Sequence, residues 1–597
     1  MSFRQAFPHR LSWLILGLYV FLAVLYSVVT PAWEAPDEIG HYAFIQHVRQ
    51  IGTLPIQQSG VLGEAHQPPL YYLVTAVATL PADISGAIGA FRPNPNFIWA
   101  GQGGYDINAG LHGSAETFPF RQQALALHLA RGMSILMGLI TVALTMKIGW
   151  QIFPDQSAIG LLAGGLAAFN PQFLFISGAI NNDNLLTMAT IGTIWQAMAA
   201  ARQPERWRSW IYVGLWLAVA VLTKISGLIV VAMVGFFLVV LAFRKRSWPF
   251  LFRGALAVGL PIVVVSGWWF VRNQALYGDP LGLAVYEKIF SINLRHSPLQ
   301  WADISRFFSV QYRSFWGVFG WMNLPAPDWY FTAVPVLLLA ALVGIGAFVA
   351  TSQLRRLQKW QKGALAFLLL AIVMQELYMV TVITRCNESC YQGRYLFPVI
   401  GPLMIFVALG LVNLIPWRWE RPFTPALLFA LAVTALFVSL RVIRPAYETH
   451  TLSRWQLWLL PHQTNAAFGE AFALKGYKIS HSDAQVNVTF YWQAVNEPDF
   501  DYSAFVHLID EAGNMVAQKD QAPGTAVNYL PTAWSAGDII ADVRTLELPA
   551  GMAPGPYYFR VGLYNWTNGQ RLPAFLDGAP NGDFIVLPEE VMVVSSR

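Results

Sequence analysis

Acidic side chains follow directly on the first long apolar run of the chain, at the point where a polypeptide would leave a membrane. The stretch TPAWEAPDEIGHYAF (30–44) carries Glu34, Asp37, Glu38 and His41. A helix cap explains one of these acids, because carboxylates are favourable near the positive N-terminus of a helix. It does not explain three acids beside a histidine. The pattern therefore favours a functional cluster at the membrane surface over a helix cap alone.

A second polar cluster lies further along the chain, between two apolar runs. The stretch INNDNLLTMAT (180–190) sets Asp183 among Asn181, Asn182 and Asn184. A polar turn between two helices is the simpler interpretation, but such a turn needs only one or two of these residues. Four in succession favour a ligand site, with Asp183 and Asn182 as candidate site residues.

A proline pair interrupts the chain within the stretch EAHQPPLYY (64–72). The polar and aromatic side chains of this stretch are Glu64, His66, Gln67, Tyr71 and Tyr72. The simpler interpretation makes His66 and Gln67 residues of the membrane interface and the two tyrosines part of its aromatic belt. The alternative is that Glu64 or His66 faces Asp37 across a cleft. Histidine and carboxylates also bind divalent cations, but no compact ligand spacing occurs. No cofactor is established by the sequence, and a divalent metal stays open.

Basic residues next to these stretches are candidates for binding an anion. They are Lys224 in LTKISGL, Arg272 in GWWFVRNQALYGDPLG, and Arg394 with Tyr395 in CYQGRYLFP. Charges at membrane depth are costly and are usually functional. Cations near acids suit an anionic lipid headgroup, which arginine can hold with two hydrogen bonds. Two further charges inside apolar runs, Arg131 and Glu376, are interpreted either as a buried structural pair or as cavity residues.

The composition is that of a membrane protein. Of 597 residues, 55% are hydrophobic and 12% are charged, whereas soluble domains carry about 25% charged residues. From Pro461 onward, 7 Lys and Arg stand against 15 Asp and Glu, a net charge of −8, whereas the preceding residues carry 31 against 18, a net charge of +13. The basic excess lies in short loops, which indicates topology signals and not a nucleic-acid surface.

Eleven apolar runs have the length, about 20 residues, that a bilayer-crossing helix needs. They lie near 11–30, 124–152, 157–177, 184–201, 209–224, 225–243, 251–271, 329–350, 363–384, 395–415 and 423–443. With the N-terminus in the cytoplasm, eleven spans put all five basic clusters inside, as the positive-inside rule requires. These clusters are MSFRQAFPHR, ARQPERWRS, AFRKRSW, QLRRLQKWQKG and PWRWERP. A twelfth run (68–91) is interrupted by Pro81 and Asp83, and counting it would put the later clusters outside. It is therefore predicted as a membrane-surface or re-entrant helix pair in the outer loop 31–123.

The predicted organisation is a multi-pass α-helical domain (1–444) in the plasma membrane, followed by an extracytoplasmic domain (461–597). The acidic stretches and the candidate cations all fall on the outer side. The second domain contains four runs that alternate apolar and polar residues between turn signals, which is typical of an antiparallel β-sandwich. Its His507 and Trp534 are either glycan contacts or core residues.

A short outer loop holds both cysteines of the chain, Cys386 and Cys390. A local disulfide is the preferred interpretation, because a zinc site would need a second pair of ligands.

The ordered segments resemble the GT-C superfamily, polytopic glycosyltransferases that use lipid-phosphate-linked sugars. Within it, the similarity is to protein O-mannosyltransferase-like and aminoarabinose-transferase-like enzymes. The resemblance covers roughly residues 10–440 and is carried, in order, by PDE followed by HYAFIQ, by QPPLYY, by LTK at the end of a span, and by RNQALYGDPLG and QGRYLFP. It implies a GT-C-like fold, a polyprenyl-phosphate-linked sugar donor and an extracytoplasmic acceptor hydroxyl.

The resemblance also implies roles for individual residues. Asp37 matches the first-loop acid that acts as general base, Glu38 accompanies it, and Asp183 matches the acid of the second outer loop. His66 and Gln67 depart from the Glu-Lys pair that relatives often carry before the two prolines.

Inverting transfer of a sugar from the lipid-linked donor is thus the predicted reaction. A direct displacement with one base inverts the anomeric centre, and Lys224, Arg272 or Arg394 would neutralise the phosphate that leaves. The alternative is a transporter or flippase of lipid-linked sugars, which would also need outer cations. Transporters usually place ionisable groups near the midplane, often in paired halves, whereas here the polar stretches gather at one face and no half-to-half repeat is visible.

Overall fold

The computed structural model describes residues 3–59, 63–85, 93–94, 97, 107–113, 116–447, 451–452, 454–481, 485–527, 529–549 and 552–593. These residues pack as two units. The first is helical and comprises Met1–Ala90, Pro95–Ala109 and Arg121–Tyr447, and the second comprises Phe91–Asn94, Gly110–Phe120 and Glu448–Arg597.

Among the described residues, the helical unit consists mainly of α-helices. The helices are α1 (Phe3–Val29), α2 (Glu38–Ile51), α3 (Leu70–Ala78), α4 (Gln122–Ile152), α5 (Ser157–Ala168), α6 (Pro171–Ser177), α7 (Asp183–Arg202), α8 (Trp207–Thr223), α9 (Gly227–Lys245), α10 (Trp248–Tyr277), α11 (Leu283–Ile289), α12 (Trp301–Trp316), α13 (Asp328–Ala350), α14 (Gln353–Arg356), α15 (Lys359–Ile383), α16 (Ile400–Leu414), α17 (Trp417–Val438) and α18 (Arg444–Ala446). A short two-stranded ribbon of β1 (Val318–Phe319) and β2 (Leu324–Pro325) follows α12.

Within the described residues, eight helices are long and apolar enough to cross a membrane, or nine if the bent pair α5–α6 forms one span. The remaining two predicted runs form α7, which is 20 residues long, and α8, which is 17 residues long and apolar. All eleven runs are therefore helical, and the multi-pass α-helical class is confirmed. The number of spans stays a prediction.

The predicted surface helix pair is represented by α3, whose nine residues extend about 14 Å. That length is less than half of the roughly 30 Å hydrocarbon core, so α3 cannot span it. The second helix of the predicted pair would lie on residues 86–91, outside the described part of the chain.

Glycines allow several helices of this unit to pack backbone against backbone. A Cβ built on Gly344 of α13 would lie 1.9 Å from the carbonyl oxygen of Gly410 on α16, and one on Gly149 would lie 2.6 Å from the Cα of Gly160. Such small-residue contacts hold helices together in a membrane, where burial of apolar surface supplies little driving force. Larger side chains at these positions would push the helices apart.

The second unit is a β-sandwich, as the sequence predicts. Its strands are β3 (His462–Phe468), β4 (Phe472–His481), β5 (Gln485–Ala494), β6 (Ser503–Ile509), β7 (Met515–Gln518), β8 (Ile539–Glu547), β9 (Gly555–Tyr564), β10 (Ala574–Leu576), β11 (Ala579–Pro580), β12 (Ile585–Val586) and β13 (Val591–Val593). One sheet has the order β11-β10-β3-β4-β5-β8 and the other the order β12-β9-β6-β7, with β13 paired to β9.

Alternating burial along the strands forms the core between the two sheets. Every second residue of β5, Phe490 and Trp492 among them, is buried. Trp534 is fully buried and donates its indole N–H to the carbonyl of Tyr529 at 2.8 Å. It is therefore a core residue and not a glycan contact, while His507 keeps partial exposure and lies 3.7 Å from Asp520.

Residues 110–113 and 116–120 belong to the β-sandwich unit, although they precede α4 in the chain. Leu111 packs against the sandwich core, and a Cβ on Gly113 would lie 3.1 Å from a carboxylate oxygen of Asp538. The sequence assigns these residues to the outer loop of the membrane domain, because nothing in their local pattern indicates a distant packing partner.

Candidate active site

Asp37 stands at the start of α2 in a conformation that is unusual for a residue with a side chain. Its φ of 65° and ψ of −1° place it in the left-handed region, where strain often accompanies a functional constraint. The side chain makes no capping hydrogen bond to α2, so the helix-cap interpretation does not describe it. Instead the carboxylate forms an ion pair with Nη2 of Arg394. With 38% of its side chain exposed, Asp37 remains accessible to a substrate.

The adjacent acid, Glu38, points into the protein and is fully buried with Arg131 of α4. Its Oε1 accepts from Arg131 Nε at 2.8 Å and from the backbone N–H of Ile180 at 2.9 Å. Its Oε2 accepts from Arg131 Nη2 at 2.6 Å and from the N–H of Trp33 at 3.1 Å. Each oxygen thus accepts two hydrogen bonds, which leaves Glu38 a positioning residue for the loop that carries Asp37.

Asp183, the first residue of α7, pairs with two cations. Its Oδ1 lies 2.5 Å from Nζ of Lys224, and its Oδ2 lies 3.9 Å from Nε of Arg394. Asp183 and Arg394 are each only 3% exposed, whereas Lys224 is 19% exposed. The ring of Tyr395 lies beneath both cations, with its centroid 5.2 Å from each charged group. Arg394 therefore joins the two predicted acids, and Lys224 supports the second of them.

Aromatic and amide side chains line the cluster. His41 Nδ1 lies 2.9 Å from the hydroxyl of Tyr72, and the Nδ2 of Asn182 donates to the same hydroxyl at 3.4 Å. The hydroxyl of Tyr71 lies 2.8 Å from Oγ of Ser134 and accepts from the N–H of Asn181 at 3.0 Å. These contacts attach α3 to α2 and to the loop before α7.

The segment after residue 62 forms one side of the cluster through a close backbone contact. A Cβ on Gly63, whose φ is 106°, would lie 2.7 Å from the carbonyl oxygen of Gly40 on α2. Beyond it, Gln67 donates to Oε2 of Glu64 at 3.1 Å, and His66 lies 3.8 Å from the same carboxylate. The Glu64 carboxyl and its neighbours are thus held against the helix that Asp37 begins.

The titration of the residues outside the spans is set by burial and by these charges. Burial acts to raise the pKa of Asp37, but the charge and hydrogen bond of Arg394, with a smaller contribution from Lys224, hold this pKa below its ordinary value. Burial, together with the Asp37 carboxylate, raises the pKa of Glu64 to about 7. Burial lowers the pKa of His41 to about 3. Asp37 is therefore ionised and His41 neutral at neutral pH.

Several buried polar atoms in the cluster have no hydrogen-bond partner among the described residues. They are Nε and Nη1 of Arg394, Oδ2 of Asp183, Oδ1 of Asn182 and Nδ1 of His66. Because buried polar groups are normally satisfied, a group of unpaired donors and acceptors in one place indicates the site of a polar ligand. Two of these atoms are guanidinium donors, which suit an anion.

The structure gathers most of the residues that the sequence singles out, but not all. Arg272 donates to the carbonyl of Pro55 at 2.8 Å and lies over the ring of Trp269 at 4.8 Å, and no described contact joins it to the acids. Arg131 pairs with Glu38 and not with Glu376, which accepts from Gln311 at 3.3 Å. Sequence reasoning missed the Glu38–Arg131 pair and placed Tyr72 only in an aromatic belt.

The predicted disulfide between Cys386 and Cys390 is present in the loop before Arg394.

A divalent cation does not fit the acids as they are arranged. No group of three or more His, Cys, Asp or Glu side chains is placed to hold a metal within the described ranges. Asp37 and Asp183 are already neutralised by Arg394 and Lys224, so their donor set is that of a balanced ion-pair cluster. A metal would have to displace these cations.

Residues 126–269 match the family model described as dolichyl-phosphate-mannose-protein mannosyltransferase. This match confirms the predicted resemblance and the predicted class, a membrane glycosyltransferase. The matched residues contain Arg131, Asp183 and Lys224, but neither Asp37 nor Arg394. A comparison with curated proteins gives no match.

Among solved structures, similarity is found to ArnT from Cupriavidus metallidurans bound to undecaprenyl phosphate, with a TM-score of 0.41 and 16% identity over 72% of this chain and 73% of that one. The protein O-mannosyltransferase complex of S. cerevisiae bound to the sugar donor gives 0.30 and 20%, over 47% and 33%. The oligosaccharyltransferase of Archaeoglobus fulgidus gives 0.37 and 12%, over 73% and 55%. TM-scores this low add no detail of the site.

Proposed function

We propose that the chain transfers a sugar from a polyprenyl-phosphate-linked donor to a hydroxyl of an extracytoplasmic acceptor, with inversion at the anomeric carbon and with Asp37 as general base. The description of the family that matches residues 126–269 names a mannose donor linked to a lipid phosphate. The observation that carries the proposal is the position of Asp37, which is accessible and adjoins a buried arginine with unpaired donors.

The donor phosphate binds at Arg394 and Lys224. Nε and Nη1 of Arg394 make no hydrogen bond within the described residues, and Lys224 is the more exposed of the two cations. Asp37 and Asp183 balance these two positive charges before the donor arrives. A phosphate therefore competes with Asp37 for Arg394, and each hydrogen bond that moves to the phosphate weakens the hold on the Asp37 carboxylate.

This competition prepares Asp37 for its role. Arg394 and Lys224 keep the pKa of Asp37 low against the effect of burial, which makes it a weak base in the absence of donor. When the phosphate neutralises these cations, the pKa of Asp37 rises towards the value that burial alone would give. A base whose pKa lies nearer the working pH abstracts a proton more effectively.

The chemical step is a single displacement. The acceptor oxygen forms a bond to the anomeric carbon while the bond between that carbon and the phosphate oxygen breaks. The electron pair of the broken bond stays on the polyprenyl phosphate, whose charge Arg394 and Lys224 stabilise. The proton of the acceptor hydroxyl goes to Asp37. One base and one displacement give inversion, in contrast to the covalent intermediate of a retaining pair.

The orientation of the chain puts this chemistry outside the cytoplasm. The five basic clusters of the sequence lie inside if the N-terminus is cytoplasmic, following the positive-inside rule. The donor headgroup and the acceptor would then meet at the outer membrane surface. The acceptor class includes glycans, lipids and proteins with a free hydroxyl.

Asp37→Asn tests the proposal, because asparagine keeps the size of the side chain but cannot accept a proton. Turnover of a panel of polyprenyl-phosphate sugars is expected to fall by about 10²–10⁴-fold. Donor affinity is expected to be unchanged or higher, since Arg394 loses its competing carboxylate. Asp83→Asn, at an exposed acid of the same outer loop, is the matched control with normal turnover.

A structural role for Asp37 would lower the melting temperature together with turnover. Near-normal turnover of Asp37→Asn would remove the general base from this mechanism. Donor translocation without any transferred sugar, in the unaltered chain, would instead identify a flippase.

A further inference from the structure

An apolar groove of about 410 Å³ lies between α7, α9 and α15. Its basic end is far from the acidic cluster, because α7 begins at Asp183 in that cluster and lines the groove with Met198, Ala201 and Arg202, in its last turns. Twenty helical residues extend about 30 Å, which is the thickness of the hydrocarbon core. The basic end of the groove is therefore towards the opposite membrane face, and its apolar part extends from there along α15 as far as Val373. The groove takes no part in the reaction proposed above.

The wall of the groove is apolar and aromatic. Phe237 of α9 stacks on Phe367 of α15 with ring centroids 4.1 Å apart and forms part of its floor. Phe236 and Leu369 line it with 53% of each side chain exposed. These helices are candidate membrane spans, so the exposed side chains face lipid. The groove is thus open to the space that hydrocarbon chains occupy.

Three basic residues, Arg202, Arg244 and Lys359, line one end of the groove. The guanidinium of Arg202 lies 3.7 Å above the ring of Trp360. In the part of the chain that the structure describes, none of the three cations is within salt-bridge distance of a carboxylate. By contrast, Lys245, which is adjacent to Arg244, pairs with Glu205. The end of the groove therefore carries three positive charges without acidic partners.

We propose that this groove binds an anionic phospholipid. One acyl chain occupies the apolar groove, and the phosphodiester contacts Arg202, Arg244 and Lys359 at its end. The arrangement follows from charge complementarity: basic residues at a cytoplasmic interface attract anionic lipids, and arginine offers paired donors to a phosphate. Trp360, which contacts Arg202, is a residue type favoured at the level of lipid headgroups.

Binding at this position would stabilise the helix that carries Asp183. Arg202 closes α7 at one end and Asp183 opens it at the other, so a lipid that holds Arg202 and α15 together restrains α7 as a whole. The proposal concerns stability and lipid preference and does not depend on which sugar or acceptor the enzyme uses.

The test is thermal unfolding of the purified full-length chain in detergent, with phosphatidylglycerol or with phosphatidylcholine of the same acyl chains. We expect phosphatidylglycerol to raise the melting temperature and phosphatidylcholine to have little effect. Replacing the three cations together by glutamine (R202Q, R244Q and K359Q) is expected to weaken phosphatidylglycerol binding by about 100-fold and to abolish the shift. Equal shifts with both lipids would overturn the proposal.

A matched control removes three charges from the same end of the helices without touching the groove. Arg208, Arg355 and Arg356 are exposed and do not line it, so their triple glutamine variant should keep the full shift. If this control also lost the increase in melting temperature, the effect of phosphatidylglycerol would depend only on net charge, and the proposed site would be wrong.

A second variant tests the groove without changing its charge. Gly363 lines the groove, and a Cβ on it would meet only Nη1 of Arg244, at an ordinary contact distance of 3.8 Å; Gly363→Phe is designed to occupy the groove from α15. We expect it to fold normally and to lose the response to phosphatidylglycerol. A normal response would show that no acyl chain enters the groove. Displacement of phosphatidylglycerol by equimolar undecaprenyl phosphate, followed by native mass spectrometry, would overturn the choice of a phospholipid.

Discussion

Replacing Glu38 with glutamine removes the negative charge from an ion pair whose two side chains are fully buried. Each carboxylate oxygen accepts one hydrogen bond from Arg131 and one from a backbone N–H, of Ile180 or of Trp33. The glutamine amide keeps one acceptor oxygen, but its NH₂ group stands where the second carboxylate oxygen was. That NH₂ group cannot accept the two N–H donors that the oxygen accepted. The variant therefore loses the charge pair and creates a clash between donors in the same place.

The magnitude follows from the burial of the pair. Removing one partner of a buried ion pair costs about 3–5 kcal/mol, because the remaining charge is left uncompensated. Arg131 also donates to the carbonyls of Ser27, Thr30 and Pro31, at 2.6, 2.8 and 2.9 Å. These bonds retain the guanidinium in its buried position, so it cannot move to water to relieve the loss. We therefore expect Glu38→Gln to lose the whole of this stabilisation, about 3–5 kcal/mol.

The assay is thermal and denaturant unfolding of Glu38→Gln in detergent, beside turnover measured well below its melting temperature. Glu205→Gln is the control, since Glu205 is 75% exposed and its pair with Lys245 lies at the surface, where such pairs contribute about 0–1 kcal/mol. The double variant of Glu38→Gln with Arg131→Gln should be more stable than the sum of the two single losses predicts, because it leaves no unpaired charge.

The outcome separates two roles for Glu38. The resemblance to known enzymes assigns it to the catalytic set, whereas its four accepted hydrogen bonds assign it to positioning. A variant that unfolds easily but retains turnover when cold supports the positioning role. A variant with unchanged stability and abolished turnover would refute the reasoning and return Glu38 to catalysis.

Three further results are expected. Burial and Asp37 raise the pKa of Glu64 from 4.5 to about 7, so the folded chain loses stability as the pH rises from about 4.5 to 7. Melting curves of Glu64→Gln should lack this loss. The same pH dependence of the melting temperature in both proteins would contradict the prediction. A cysteine at the exposed position Ala536, in a chain without Cys386 and Cys390, should react with an impermeant reagent in intact cells; labelling only after lysis would reverse the topology. A fragment 451–597 should gain thermal stability from a peptide of residues 107–120 and not from its Leu111→Asp form, because Leu111 packs on the sandwich core; equal stability without the peptide would contradict that role.

The fold class could be predicted because membrane spans and strands have strong local periodicities. Each of the eleven apolar runs is helical, and the alternating run of β5 is a strand with every second residue buried. What could not be predicted depends on distant packing. The segment that contains Leu111 has no periodicity of its own, and its place in the sandwich follows only from partners more than 300 residues away.

The members of the site could be predicted better than their pairing. Polar residues between apolar runs are conspicuous, so Asp37, Asp183, Lys224 and Arg394 could be selected from the sequence alone. Arg272 has the same local signal, and the structure nevertheless holds it at a backbone carbonyl. Residue type and membrane depth do not specify which of several cations reaches a given acid.

Asp37 and Glu38 show most clearly why pairing escapes a sequence. They are neighbours in the chain with the same charge, yet one side chain is exposed to a cluster of cations and the other is fully buried. The difference arises because the left-handed backbone at Asp37 turns its side chain away from the direction that α2 gives to Glu38. That turn puts a strained residue at the most exposed acid of the cluster among the described residues, which is the arrangement expected where the chain gives up local stability to present a base.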